Sequence, residues 1–447
     1  MLLEFKTKNY KSFVEEASFS MVAAPKQKGL DYSLMKTKIK GKEIKGLSSS
    51  VIYGPNAAGK TNIIGAMDVL RAIVLRGNIR NSEEKSSPNP AAAALELIPN
   101  NNEMESKPVC FEIEFYEEDG ENHKFKIHYE LEVALGTFLE EEYQRKILAE
   151  VLEVNGERIF ERAEDLKIEN LKVIKDYLSD ITEQNADSVN EIAKNSLNQE
   201  ELFLTNGFKL IFSPKFTKLM VDWFMNKFMV IYRADSMQLI KRFADPKKKA
   251  IYVEKTTDEA AKLFGINSNA VGYVVSDDEP DAKLYSVFKN IKNKKTTAVA
   301  ADIFESYGTI RFINMFPLVI KAMQTGGTLV VDEFDASIHP MALMSIINVF
   351  HNDDVNIHHA QLIFNTHNPI FLNSNLFRRD EIKFVERDDD THDSILYALS
   401  DFGTTGDKGV RKHEDYMSKY FISQYGAIKD IDFTPIFEEI LCDEKEG

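Results

Sequence analysis

The stretch Gly54-Pro55-Asn56-Ala57-Ala58-Gly59-Lys60-Thr61 constrains this chain more than any other. It fits the spacing G-x-x-x-x-G-K-[ST], in which glycines let backbone N–H groups curl around phosphate oxygens. The apolar run Val51-Ile52-Tyr53 before it reads as a buried strand. From Asn62 to Leu75 the pattern is helical, with Ile63, Met67, Leu70 and Ile73 or Val74 recurring on one face. Strand, glycine-rich loop and helix together are the setting this motif needs. The helix N-terminus adds partial positive charge toward an anion. Lys60 is placed to reach the β- and γ-phosphates of a nucleotide, and the Thr61 hydroxyl to hold Mg²⁺.

The 447 residues exceed what one compact core normally covers, so two or three lobes are expected. With 43% apolar and 28% charged residues, the balance is that of a soluble globular protein. A formal net charge of −16 argues against a wholly basic nucleic-acid coat, though a local basic groove stays open. Cys110 and Cys442 lack metal-ligand spacing, and so few cysteines suit a reducing compartment. The N-terminus has no apolar signal core, and no run of about 18 apolar residues is present. A cytoplasmic location with no membrane partner is the expectation.

Residues 1–24 alternate through Leu3, Phe5, Phe13, Phe19 and Met21, two strands around the turn Asn9-Tyr10-Lys11-Ser12. The Lys- and Gly-rich residues 25–46 read as a long hairpin or loop, and 76–94 as loop. Val109–Tyr116, Phe125–Val133 and Ala149–Val154 read as strands of an antiparallel sheet, with turns at Glu118-Asp119-Gly120 and Asn155-Gly156. From about 160 charged helical patterns dominate, and Phe216, Leu219, Met220, Trp223, Phe224 and Phe228 form an apolar stripe that reads as core packing. The clusters Lys247–Lys249 and Lys289–Lys295 read as solvated loops. The expected lobes are 1–157 with the phosphate loop and an antiparallel β subdomain, 158–300 as a mainly helical insertion, and 301–447 completing the nucleotide site.

Thr328-Leu329-Val330-Val331 is a buried strand ending in Asp332 and Glu333. Beside a phosphate loop, the first acid helps hold hydrated Mg²⁺ and the second polarises an attacking water. Gln361–Asn365 is a further strand, tipped by Thr366-His367, where an imidazole reaches a γ-phosphate or orients water. Ser306 and Gly308 stand at the start of the apolar helical run Ile310–Met323, an N-terminus suited to an anion. ATP and Mg²⁺ are the ligands these residues call for.

Together these residues resemble the ABC-class ATPases of the SMC, RecF and OLD kind. Within that class the chain is most similar to AAA-type ATPases of bacterial abortive-infection and restriction-linked systems, of the RloA, AbiL and AriA type. Asn9-Tyr10-Lys11-Ser12-Phe13 is similar to the family's opening motif, and Pro55-Asn56 to its phosphate loop, where Ala57 replaces a frequent glycine. Ser306-Tyr307-Gly308-Thr309 resembles a shortened signature motif. Val331 to Pro340 resembles the Walker B strand, its glutamate and the D-loop with Asp335. Asn365-Thr366-His367 resembles the switch histidine, and the tail from Arg378 to Ile428 is also similar. Gln144 is the candidate for the glutamine loop.

The resemblance implies an ABC-type P-loop head of α/β class, with an antiparallel β subdomain and a helical insertion. It implies nucleotides sandwiched between two copies. One copy supplies Gly54 to Thr61 with Asn62, Asp332, Glu333, Asp335 and His367, and the other supplies Ser306 and Gly308. A homodimer or higher homo-oligomer follows, closed by ATP and opened by hydrolysis. About 80 residues follow His367, too few for a typical nuclease domain after the remaining head elements. Asp388-Asp389-Asp390 reads as a solvated turn. The resemblance therefore points to a sensor or scaffold in anti-phage defence that controls a separately encoded effector of Toprim or RloB type. A RecF- or SMC-like repair ATPase that clamps DNA directly is the alternative. A transporter motor and a non-catalytic nucleotide-gated binder are further readings.

Overall fold

The computed structural model describes residues 1–439, except 26, 28–29, 40, 82–94, 102–105, 139–142, 180–185, 233–249, 254, 275–282, 291, 293–294, 405–408 and 412. The cluster Lys247–Lys249, Cys442 and most of the 76–94 loop lie outside the described residues.

Strict alternation builds the first sheet. β1 (Leu2–Lys8), β2 (Ala17–Ser20), the hairpin β3 (Leu34–Ile39) and β4 (Lys42–Leu47), and β5 (Ser49–Tyr53) open the chain and lead into α1 (Lys60–Arg76). β6 (Val109–Glu118), β7 (Lys124–Ala134), β8 (Lys146–Val154), β9 (Glu157–Arg162) and β10 (Leu166–Ile168) follow. With β1 and β2 these five form a seven-stranded antiparallel sheet in the order β10-β9-β8-β7-β6-β1-β2. Every second residue of β6 is buried, as one-sided packing demands. Asn155 and Gly156 turn between β8 and β9 with φ of 55° and 79°, the left-handed pair a two-residue hairpin needs.

After α2 (Ala186–Asn195) and α3 (Pro214–Asp222) comes β11 (Phe228–Ile231). β12 (Ala250–Tyr252), α4 (Lys255–Phe264), β13 (Ala270–Val274), β14 (Lys283–Lys289) and β15 (Thr296–Ala300) form a subdomain around a four-stranded antiparallel sheet. α5 (Ala301–Phe304) and α6 (Tyr307–Thr325) lead back to β16 (Thr328–Val331), α7 (Pro340–His351), β17 (Gln361–Asn365), β18 (Ile382–Arg387), β19 (Ser394–Ala398) and α8 (Tyr416–Phe421).

The second large sheet has the order β11-β16-β17-β5-β18-β19, parallel except at β19. β5 lies at its interior and is buried along its whole length, so Val51, Ile52 and Tyr53 place apolar side chains on both faces rather than alternating with polar ones. Ile52, Val230, Val330, Ile363 and Val385 face a core shared with α1 and the antiparallel sheet. Val51, Tyr53, Leu329, Val331, Leu362 and Phe364 face a second core under α6 and α7.

Among the described residues the segment 158–300 mixes helix with strand, its helical turns at Leu171–Tyr177, Leu204–Phe212 and Trp223–Lys227 adding to α2, α3 and α4. It supplies β10, most of β9, the edge strand β11 and all of β12–β15. A boundary at 157/158 would cut the β8–β9 hairpin. Short strands among lysines and glycines lack a period long enough to separate them from charged helix. The aromatic stripe does pack inward. Trp223 stacks on Phe115 at 3.8 Å and on Phe228 at 5.1 Å, but Phe228 already belongs to β11.

One buried amide stitches the two sheets. Gln361 Oε1 accepts from Leu2 N at 2.6 Å and Thr328 Oγ1 at 2.8 Å, while Nε2 donates to the Leu2 and Leu47 carbonyls at 3.1 and 2.9 Å. Gln361→Leu keeps the volume but strands these groups in the interior. Chemical denaturation of that variant should show a loss of about 3 kcal/mol or more.

Candidate nucleotide site

The loops that meet at the phosphate-binding turn all leave carboxyl ends of parallel strands: Gly54 after β5, Asp332 after β16, Thr366 after β17 and Asp388 after β18. An open α/β sheet places its ligands there.

The turn needs its glycines. Gly59 has φ 110°, and a Cβ there would lie 2.8 Å from both Ser12 Oγ and Ser394 Oγ. Ala57 adopts φ 62° without a glycine, a mild strain at an exposed position. Two further strands brace the loop. Ser394 Oγ donates to the Ala58 carbonyl at 2.6 Å and Arg387 Nη1 to the Ala57 carbonyl at 3.2 Å. Asn62 Nδ2 donates to Ser12 Oγ at 2.8 Å, so the opening turn of the chain packs on the start of α1.

Lys60 is buried, and its Nζ donates to the Gly54 and Pro55 carbonyls at 2.8 and 2.9 Å. Burial pulls its pKa down to about 8, with Asp332 and Glu333 pulling partly back. Phosphate oxygens are the natural replacement for those carbonyls. Thr61 Oγ1 donates to Asp332 Oδ1 at 3.0 Å. A hydroxyl and a carboxylate side by side at the end of a phosphate loop form the hard oxygen set that suits Mg²⁺. These residues fit a magnesium-bound nucleoside triphosphate.

Asn365 is the residue that sequence reading left without a role of its own. Its Nδ2 donates to Asp332 Oδ1 at 2.5 Å, and its Oδ1 accepts the Glu333 N–H. Glu333 sits at φ 49° with its side chain exposed, and Arg311 of α6 donates to its carbonyl at 2.5 Å. The signal was available, because an amide at the end of a fully apolar buried strand must find partners.

His367 follows β17 and lies exposed near Lys60, Asp335, Glu333 and Asp332. Desolvation, and then the Lys60 charge, hold its pKa below the usual imidazole range. Among the described residues no hydrogen bond joins Ser306 to this cluster. Ser306 is exposed and caps α6, accepting from Thr309 N at 3.1 Å. Gly308 is buried, and a Cβ there would lie 2.0 Å from the Ser337 carbonyl. Its lack of a side chain thus serves packing against the chain's own loop after Glu333. Glu305 anchors this turn to the β13–β14 subdomain, accepting from Ser268 Oγ and Ser286 Oγ at 3.0 and 2.8 Å. Gln144 is exposed ahead of β8, and among the described residues no hydrogen bond joins it to the phosphate loop.

The family described as "AAA domain, putative AbiEii toxin, Type IV TA system" matches residues 49–373, which span β5, the phosphate loop and Asp332, Glu333 and His367. The chain belongs to this AAA-domain family. It is therefore a P-loop protein of nucleotide-binding type. The chain is also similar to the SMC head domain from Thermotoga maritima, at 13% identity over 89% of this chain and 98% of that one, with a TM-score of 0.36. A search of curated proteins finds no match. No helix among the described residues is long and apolar enough to cross a membrane.

A lysine with a pKa of about 8 makes nucleotide binding pH-dependent. The phosphate-bound form keeps its proton, and the free protein loses it above pH 8. Nucleotide affinity should be flat below pH 7.5 and weaken toward about tenfold per unit above pH 8. Titration calorimetry between pH 7 and 9.5 measures this, with proton uptake appearing on binding above pH 8.

Proposed function

We propose that this protein is an ATP-hydrolysing ABC-type head that works in pairs and uses nucleotide turnover to control a separately encoded effector in bacterial defence. The carrying observation is the joint at Asp332 Oδ1, where Thr61 and Asn365 both donate while Asn365 holds the backbone of Glu333. This arrangement suits phosphoryl transfer to water, which depends on positioning and charge stabilisation.

In this reading the backbone of Gly54 to Gly59 and the Lys60 ammonium hold the β- and γ-phosphates. Thr61 and Asp332 hold Mg²⁺, which when bound neutralises phosphate charge. Glu333 takes a proton from the attacking water. His367, its pKa lowered by desolvation and the Lys60 charge, and Asp335 are assigned to the γ-phosphate side. Ser306, exposed at the cap of α6, belongs to the site of the second copy, so that nucleotide closes the pair.

The defence role is supported by the family description, which names a toxin of a toxin–antitoxin system. A switch of this kind performs no chemistry on its target, so an effector of Toprim or RloB type is its natural partner. Direct DNA clamping is the outcome that would replace this reading.

Two substitutions test the chemistry. Lys60→Ala should weaken ATP binding by about tenfold or more, read by calorimetry. Glu333→Gln should bind ATP as the parent does and lose at least ~100-fold in turnover, read by phosphate release. Parent-like turnover in Glu333→Gln would remove Glu333 from the base role. Native-host capture of Glu333→Gln with ATP should yield a stoichiometric protein that survives nuclease treatment. Recovery of DNA alone would favour the clamp.

A further inference from the structure

The chain after α8 returns to the rim of the phosphate loop and then exposes apolar side chains. The Tyr420 ring packs 5.9 Å from Tyr53, the residue before Gly54, and Tyr397 Oη donates to the Tyr425 carbonyl at 2.7 Å. Lys429 Nζ pairs with Asp389 at 2.7 Å, in the β18–β19 turn whose flanks, Arg387 and Ser394, brace Ala57 and Ala58. Residues 430–439 therefore leave from the edge of the nucleotide face. Ile431, Phe433, Ile436 and Phe437 are 54–62% exposed. Residues 434–439 are helical, which sets 433, 436 and 437 on one face. A run of large apolar side chains this exposed marks an interaction site. Asp430, Asp432, Glu438 and Glu439 flank it, with no lysine or arginine between 430 and 439.

A second exposed apolar cluster borders Ser306. Ile303 is 77% exposed, Phe304 46% and Tyr307 59%. Phe304 packs edge-on to Phe288 of β14 at 4.6 Å, which sets the cluster beside the β14–β15 hairpin. Lys289, Lys292 and Lys295 of that hairpin are exposed and outnumber Asp302 on this side. A two-fold pair that sets the phosphate loop of one copy against Ser306 of the other would repeat any contact between the acidic apolar tail and the basic apolar cluster twice.

We infer that residues 430–439 of each copy clasp the surface of Ile303, Phe304, Tyr307 and the β14–β15 hairpin on the second copy. The occupant is a second copy because the two surfaces match in apolar character, oppose in charge and border the two halves of one composite site. The inference rests on the two-copy reading proposed above. The clasp adds contacts that do not touch nucleotide, and so adds to the stability of the closed pair.

Sedimentation velocity on the full chain tests it, in a Glu333→Gln background with Mg-ATP. The parent should dimerise with ATP. Phe433→Ser/Phe437→Ser should weaken the dimer about 30-fold or more while a fluorescent ATP analogue binds as before. A charge exchange removes doubt about folding. Asp430→Lys/Asp432→Lys and Lys289→Glu/Lys292→Glu should each dimerise poorly alone, about tenfold weaker, and regain parent affinity when mixed, since both contacts in the mixed pair are again opposite in charge. Parent-like dimers from the tail variants, or two weakened variants that stay weak when mixed, would overturn the clasp and leave the two-copy reading standing. A parent that stays monomeric with Mg-ATP would overturn both.

Discussion

The structure depends on one carboxylate oxygen. Asp332 Oδ1 receives hydrogen bonds from Thr61 at 3.0 Å and Asn365 at 2.5 Å, and so fastens α1, the end of β16 and the end of β17 at a single point. Bonds to an ionised acceptor are about twice as strong as neutral ones, and this one is sheltered by its surroundings. Thr61 and Asp332 are the pair proposed to hold Mg²⁺, and Asn365 carries the constraint on to the Glu333 backbone. The exposed Glu333 side chain thus projects from a backbone that cannot drift.

That joint holds its place because two cores trap the parallel sheet. Its interior strands send alternate side chains into one core with α1 and the antiparallel sheet, and into another under α6 and α7. Gln361 joins the sheets at the opposite end of β17 from Asn365. A single strand therefore has one buried amide at each end, one serving architecture and the other the site. Arg311 ties α6, the helix capped by Ser306, to the carbonyl of Glu333. The surface proposed to meet a second copy and the proposed base of the chain's own site are thereby linked through one guanidinium.

Much of this was legible in the sequence. The loop 54–61, the strand before it and the helix after it carry local patterns that tertiary context had no reason to override. The α1 residues Ile63, Met67, Leu70 and Ile73 are all fully buried. The strands at 109–118 and 124–134 were equally plain because one face of each meets the core. The strands within 158–300 were not legible because they are short and sit among charges, and because pairing partners such as Thr328 for Phe228 lie about 100 residues away. Asn365, Arg311, Ser12 and Ser394 were missed for a related reason. Their roles come from contacts between distant segments, which no spacing rule encodes. Gly308 shows the converse, since its motif position suggests a ligand contact and gives no sign of its close packing against Ser337.

The most direct test of the central claim is single-turnover hydrolysis of Mg-ATP by Asn365→Ala, with ATP affinity measured on the same protein. If Asn365 positions Glu333 and Asp332, affinity should stay within about threefold while the hydrolysis step slows ~100-fold, the scale expected when a reacting group is displaced by about 1 Å. Hydrolysis at the parent rate with intact binding would contradict the account, because the joint at Asp332 would then be no more than a structural contact.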